Sequence, residues 1–488
     1  MDNQTIHLAM QASLKRTKII ATVGPASNTK EMLLQFAISG ANTFRLNFSH
    51  GTHADHLKVI KLIRAINKES NFNVATMQDL QGPKIRIGTV ENNGVEIVPG
   101  QELIITTDRN HIGTSEMVST SYEGFAKDVK VDEKVLIDDG RLEVQVIKVD
   151  GSKVHTRVVH GGLLKSRKGM NLPDSKISAP CLTEKDLEDL EFGLKNDVDW
   201  VAISFVRSHR DIDYLRSIIK EHKKNTRIIA KIERPEALKD LDGIIDATDA
   251  VMVARGDLGV ETSLAELPVL QKDIMKRCFQ KAKPVIVATQ MLESMVNNPI
   301  PTRAEANDVA AAVMEGADAV MLSEESAAGK YPLQAVKTMN DIIRSIELSP
   351  EMDYEREFKL VPNSRYIISK EVIQNACILA RATKAKAIVG MTESGFTAFH
   401  LAKHRPKCKI LIFTKDKGLL NTLNLVWGVK AFYLPKYESI SKSLKLIEKL
   451  LINEGCIDKG DLFINIGSVK PNSNLKTNLI KIGYVDED

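Results

Sequence analysis

Eight short apolar runs, each followed by a longer amphipathic stretch, constrain this fold more than any other feature. The runs occupy residues 19–23, 43–47, 74–78, 200–204, 228–231, 250–253, 285–288 and 319–322. Runs this short and rich in β-branched residues suit strands buried on both faces. The stretches between them, such as 264–281 and 303–315, carry apolar residues at three- and four-residue spacing, the pattern of a helix with one buried face. Strands alternating with helices describe an α/β protein, and a count of eight predicts a (β/α)8 TIM barrel over residues 18–84 and 171–348. A doubly wound open sheet shares the alternation, so the count favours the barrel.

The barrel pattern is interrupted once, over residues 85–170. Alternating β-branched segments there are punctuated by Asn93-Gly94, Asp139-Gly140 and Asp150-Gly151, the chemistry of hairpin turns. An all-β domain inserted after the third strand, where barrel loops border the site, is a candidate lid. Residues 349–488 resume the alternation, with strand-like runs at 387–389, 410–413, 430–434 and 462–466, and read as a separate α/β domain. Residues 1–17 form an N-terminal segment. No solenoid repeat or low-complexity tract occurs.

Composition excludes several classes of function. Lysine and arginine (67) barely outnumber aspartate and glutamate (63), and no basic block interleaved with aromatics is present, so nucleic acid is not an expected partner. The five cysteines are scattered and never form a C-x-x-C pair, which fits reduced thiols. There is no signal-peptide pattern and no apolar run of membrane-spanning length, so a cytoplasmic protein without a membrane partner is expected.

Barrel sites lie at the C-terminal ends of the strands. Reading those ends in order gives Arg45 and Asn47, Asp79, Lys231 and Glu233, Asp257, Thr289, then Ser323 and Glu325. Lys231 and Glu233 are two residues apart and share one side of an extended strand. With Asp257 and the turn at Gly256 they offer what a divalent ion holding a phosphorylated acid needs, although charges at strand ends also form plain ion pairs. The fork of Arg45 suits a phosphate. The segment Gly256-Asp257-Leu-Gly259 opens a helical stretch whose N–H groups could hold a carboxylate, and Thr289 offers a hydroxyl beside it.

Seven ordered motifs make the chain resemble the pyruvate kinase family from Lys18 to Tyr484. They are Lys18-Ile-Ile-Ala-Thr-Val-Gly-Pro-Ala-Ser27, Arg45-Leu-Asn-Phe-Ser-His-Gly51, Asp79-Leu-Gln-Gly-Pro-Lys84, Ala230-Lys-Ile-Glu233, Ala254-Arg-Gly-Asp-Leu-Gly-Val-Glu261, Ala288-Thr-Gln-Met-Leu-Glu-Ser-Met295 and Met321-Leu-Ser-Glu-Glu-Ser-Ala-Ala-Gly-Lys330. The resemblance implies a barrel, an inserted β lid and a C-terminal regulatory domain. It implies phosphoryl transfer from phosphoenolpyruvate to ADP, giving pyruvate and ATP in glycolysis. By the same resemblance Glu233 and Asp257 hold magnesium, with manganese as a substitute, and Lys231 faces the phosphoryl group in flight. Arg45 grips that phosphate, while Gly256, Asp257 and Thr289 meet the rest of the substrate. Thr289 stands at the enolate carbon, and Ser323 and Glu325 match the proton relay. His50, Arg86 and Lys168 correspond to nucleotide-phosphate contacts and Asp139 to the closing lid. A homotetramer is implied by analogy alone.

Five of these residues also have a plainer reading. His50 suits a surface or cap position, and Lys168 a solvated turn. Asp139 suits a hairpin tip, and Ser323 and Glu325 a helix cap. No P-loop motif occurs, so the lid and strand-end cations would have to hold the nucleotide.

Two departures carry expectations of their own. Many relatives read Asp-Thr-Lys-Gly-Pro-Glu where this chain reads Asp79-Leu-Gln-Gly-Pro-Lys84. There, side-chain oxygens of the kind retained here at Asn47, Ser49 and Asp79 hold potassium. Leu80 and Lys84 break that set, and an ammonium at Lys84 would supply the monovalent charge, so potassium should not be required. In the C-terminal region Thr392, Ser394, Gly395 and Thr397 lie where a strand gives way to a helix, a cradle for a phosphorylated effector or an ordinary capping turn. Phe396 and the glycine-poor stretch after Gly467 favour a sugar monophosphate or nucleotide over a bisphosphate. Two rival functions remain: a metal-dependent lyase or aldolase passing through the enolate of pyruvate, and a non-catalytic phosphoenolpyruvate sensor.

Overall fold

All eight apolar runs become strands of one closed parallel barrel in the structure, a computed structural model. It describes residues 15–70, 72–350, 352, 354–358, 366–435, 440–468 and 477–485. The first three strands are β1 (Lys18–Val23), β2 (Ala41–Asn47) and β3 (Ala75–Asp79). Pairing of β2 with β3 sets Asn47 abreast of Asp79 at the upper rim. Their interiors are buried on both faces, Ile19, Ile20, Phe44 and Met77 being fully enclosed. That burial explains the unbroken apolar runs.

The chain then leaves the barrel. It builds β4 (Val95–Ile97), β5 (Glu102–Thr106), β6 (Met117–Ser119), β7 (Lys134–Ile137), β8 (Leu142–Asp150), β9 (Lys153–His160), β10 (Gly162–Leu164) and β11 (Met170–Asn171). Six of these form one sheet in the order β11-β7-β8-β9-β5-β6, and β10 pairs with β4. Their apolar faces form a core of their own around Ile97, Leu103, Val135 and Val144, separate from the barrel core. A unit with its own core can move as a body. The turn between β7 and β8 runs through Asp138, Asp139 and Gly140, all at positive φ (54°, 56° and 82°), which is why Asp and Gly stand there.

The barrel closes with β12 (Trp200–Ile203), β13 (Arg227–Ile232), β14 (Ala250–Ala254), β15 (Val285–Ala288) and β16 (Ala319–Leu322), the last pairing with β1. The expected helix at 303–315 is present as Arg303–Glu315, started by a Thr302–Glu305 capping box and stopped by Gly316 at φ 92°. The helix expected over 264–281 is shorter, Leu267–Gln280, because the residues just before it form a turn.

The C-terminal sheet holds β17 (Ala387–Met391), β18 (Lys409–Thr414), β19 (Val429–Tyr433), β20 (Leu462–Gly467) and β21 (Leu479–Tyr484), in the order β19-β18-β17-β20-β21. Sequence reading expected four strands. The fifth, β21, is an antiparallel edge strand with half its side chains in water, so it shows no continuous apolar run. One apolar cluster runs from the barrel into this sheet's inner face, including Trp200, Val320, Ile373 and Trp427. Among the described residues no helix is long and apolar enough to cross a membrane.

Candidate active site

At the C-terminal mouth of the barrel a lysine sits inside a cage of oxygens. Lys231 Nζ lies 2.8 Å from Glu233 Oε1, 3.3 Å from Asp79 Oδ1 and 2.8 Å from Ser204 Oγ, to which it donates. Burial disfavours its charge, but Asp79 and then Glu233 outweigh that and hold the ammonium above the ordinary lysine range. Lys231 therefore stays protonated at any physiological pH.

Asp79 is buried at the end of β3 and serves two cations. Its Oδ2 accepts from Arg45 Nε at 2.7 Å, and Arg45 Nη1 donates to Thr22 Oγ1 at 3.1 Å. Burial alone would push the Asp79 carboxyl up, but Lys231 and Arg45 hold it below the usual range. Asp79 thus orients both cations assigned to the phosphate. Asn47 Oδ1 instead accepts from the backbone N–H of Ser49 at 3.2 Å.

Glu233 is 1% exposed, and its Oε2 accepts from the N–H of Phe205 at 2.7 Å. Burial raises its carboxyl, Lys231 opposes, and the charge of Asp257 adds to the rise. Two carboxylates pressing on each other are relieved by a divalent cation, so the pair fits a magnesium-type ion. Among the described residues no cluster of three or more His, Cys, Asp or Glu could hold a metal. Lys84 Nζ stands 3.7 Å from Asp257 Oδ1, so the residue that departs from the usual motif faces one of the two carboxylates expected to hold the metal.

Gly256 does begin a short helix, Arg255–Glu261, but its N–H is engaged: it donates to Thr289 Oγ1 at 2.8 Å, and that hydroxyl donates to Ala288 O at 2.6 Å. Thr289 sits at φ 71° and Gln290 at φ 54°, unusual for a β-branched residue and its neighbour. Arg255 pins this turn, donating to Thr289 O and, through both terminal nitrogens, to Asp308, each at 2.7 Å.

Glu325 is buried, and Ser323 N–H and Leu292 N–H donate to its two oxygens at 2.7 and 3.3 Å. Burial raises its carboxyl despite those bonds.

The nucleotide residues are spread more widely. His50 is exposed, its carbonyl 3.0 Å from His56 Nε2. Arg86 donates to Arg167 O at 3.1 Å. Lys168 pairs at 2.7 Å with Asp138, while Asp139 is exposed beside it. In the C-terminal sheet Thr392 Oγ1 accepts from Gly395 N–H at 3.0 Å, and Thr397 Oγ1 lies 3.0 Å from Thr477 Oγ1. Ser394 O accepts from Arg227, the first residue of β13, at 2.7 Å. Most of the stretch after Gly467 lies outside the described residues.

Sequence reading missed Ser204, Phe205 and Thr22 and took Arg255 only as the neighbour of Asp257, yet all four hold residues it did name. Ser204 had a signal, as the polar end of an apolar run; the others become visible only through contacts across the barrel.

The fold and the constellation at its mouth define a phosphotransferase of the TIM-barrel class. A family model described as "Pyruvate kinase, barrel domain" matches residues 14–336, and "Pyruvate kinase, alpha/beta domain" matches residues 370–483. Pyruvate kinase 2 of Synechocystis is 43% identical over 96% of this chain and 79% of its own. Pyruvate kinase of Corynebacterium efficiens is 40% identical over 97% of this chain and 98% of its own. A crystal structure of a Cryptosporidium parvum pyruvate kinase superposes with a TM-score of 0.90 at 35% identity, covering 98% of this chain and 97% of that one. The chain belongs to the pyruvate kinase family.

Proposed function

We propose that this chain transfers the phosphoryl group of phosphoenolpyruvate to ADP, yielding pyruvate and ATP. The observation carrying this reading is the caged ammonium of Lys231, charged and aimed at a mouth also lined by Arg45, Glu233 and Asp257. Arg45 binds the phosphate and Lys231 stabilises the equatorial charge as the group passes in line to ADP. Glu233 and Asp257 would hold a magnesium or manganese ion, which would supply positive charge against the phosphate and the substrate carboxylate. Transfer leaves the enolate of pyruvate, which takes a proton at C3. Thr289, or a water it orders, delivers that proton, and Glu325 with Ser323 replenishes it. The lid excludes water meanwhile, with His50, Arg86, Lys168 and Asp139 on the nucleotide side.

The ammonium of Lys84, beside Asp257, takes over the charge that potassium would supply to a set such as Asn47, Ser49 and Asp79. The catalytic barrel comprises residues 18–84 and 171–348, the lid 85–170 and the regulatory domain 349–488. That last domain takes a monophosphorylated sugar or nucleotide at Thr392, Ser394, Gly395 and Thr397, within a cytoplasmic homotetramer. The test is pyruvate formation from phosphoenolpyruvate and ADP with magnesium, in potassium-free buffer and again with potassium. Equal rates are expected. A rate that rises severalfold with potassium discards the Lys84 assignment, and no pyruvate in either buffer discards the activity.

A further inference from the structure

Behind the metal carboxylates, three segments meet at one buried guanidinium that the reaction above does not use. Arg234 follows Glu233 directly and is 3% exposed. One side is anchored, Nε donating to Glu236 Oε2 at 2.8 Å. The other nitrogens reach two further segments, and every reach is long. Nη1 is 3.5 Å from Glu261 Oε1, and Nη2 is 3.3 Å from Leu172 O and 3.5 Å from Ser175 O. Leu172 and Ser175 lie on the stretch by which the chain returns from β11 to the barrel. Glu261 ends the short helix that carries Asp257, and its Oε1 accepts from Asn171 Nδ2 of β11 at 2.8 Å. Its Oε2 is buried with no hydrogen-bond partner.

We propose that Arg234 is a positioning residue that couples lid closure to the two metal-binding carboxylates. A buried charge normally completes hydrogen bonds at about 2.7–2.9 Å, so three reaches of 3.3–3.5 Å leave this joint unfinished. It has room to tighten: a cavity of about 20 Å³ beside it is lined by Lys84, Asn171, Arg207, Arg234 and Glu261. Advance of the return stretch shortens the bonds to Leu172 and Ser175 and draws Glu261 onto the guanidinium. The lid tip moves with it, since the Cβ position of Gly140 is only 3.9 Å from Val260 Cγ1 on the same helix. Closure over nucleotide and placement of Glu233 and Asp257 thereby become one event.

The inference rests on the phosphotransfer reading, and its consequence is leakage. Where the lid fails to close, water competes with ADP: the bond from phosphorus to the enol oxygen breaks, a water oxygen takes the phosphoryl group as inorganic phosphate, and C3 gains a proton. Pyruvate then exceeds ATP. The wild-type chain should form the two one to one. In Arg234→Met the half-saturating ADP should rise by about tenfold and pyruvate should exceed ATP, with half-saturating phosphoenolpyruvate, and magnesium binding measured without ADP, held within about twofold. Arg234→Lys, which keeps the charge but loses the fork, should fall between. Asn171→Ala, which leaves the neighbour of Glu233 untouched, should raise half-saturating ADP by about threefold or more. One-to-one stoichiometry and unchanged ADP dependence in both Arg234→Met and Asn171→Ala overturn the proposal. So does a loss of magnesium binding in Arg234→Met measured without ADP, which assigns Arg234 a purely structural role beside Glu233. A wild-type chain that makes no pyruvate removes the phosphotransfer reading and this inference together.

Discussion

Lys231 shows what one residue gains from its surroundings. A lysine on a strand end is ordinarily a flexible solvated charge, whereas this one is fixed by Ser204, Glu233 and Asp79, and the two carboxylates hold its ammonium above the ordinary lysine range. A donor set in advance around a transferring phosphoryl group contributes at least as much as an oxyanion-hole donor. Lys231→Met should therefore lower kcat about 10³-fold while changing half-saturating phosphoenolpyruvate far less, if Arg45 holds the phosphate as proposed; steady-state kinetics with magnesium will test this. Lys84 is a second residue with its own consequence. Lys84→Glu removes the ammonium 3.7 Å from Asp257 and adds a negative charge there. The variant should lose most of its activity in potassium-free buffer and regain it as potassium is titrated in. A variant indifferent to potassium would contradict the role given to Lys84.

Among the elements, the strand-to-helix turns do most to shape the site. Gly82 sits at φ 68° and packs so closely that a Cβ there would stand 2.9 Å from Phe205 Cδ2 and 3.0 Å from Ser204 Cβ. Phe205 holds Glu233 through its N–H, and Ser204 holds Lys231. Gly82→Ala should cost about 1–3 kcal/mol in stability and raise the magnesium concentration at half-maximal rate, read by thermal melting and metal titration. Strand entry has a different weakness. Asp199, just before β12, accepts from both the N–H and the hydroxyl of Thr76 at 2.7 Å, yet desolvation pushes its carboxyl up to about 6. A raised carboxyl stabilises the fold below its unfolded value near 4, and that contribution fades as pH rises through about 6. Asp199→Asn should thus compare better with the wild type at pH 7 than at pH 4, as the difference in Tm. The opposite trend would mean that the Thr76 bonds outweigh desolvation.

Across the whole molecule, a buried ion pair joins barrel to C-terminal sheet. Arg405 donates to both oxygens of Asp318 at 3.0 Å and to Gly316 O at 2.9 Å, with its guanidinium 4.7 Å from the Trp427 ring. Asp318 precedes β16, and its Oδ2 also accepts from the N–H of Val285 on β15 at 3.0 Å. Removing one partner strands the other charge in a low-dielectric interior. Asp318→Ala should cost about 3–5 kcal/mol and split unfolding so that the C-terminal sheet melts first, visible as a second calorimetric transition. One unchanged transition would show that the shared apolar core suffices.

The eight barrel strands were legible in the sequence within a residue or two, because burial on both faces writes itself as an uninterrupted apolar run. The spacing of Lys231 and Glu233 was legible too, since a strand's period of two is local. The strand β21 was not, because an edge strand half in water leaves no such run. Nor could the sequence reveal that Asp79 holds both Arg45 and Lys231, that Asp138 rather than Asp139 takes Lys168, or that Arg234 spans three segments. Each of those facts depends on which chain segments the closed barrel brings together. Periodicity and motif order are properties of neighbours along the chain, so the sequence by itself determined the architecture and the kinds of group at its mouth. Contact between residues 27 to 152 positions apart is decided by barrel closure and lid placement, so only the tertiary structure decided which charge answers which.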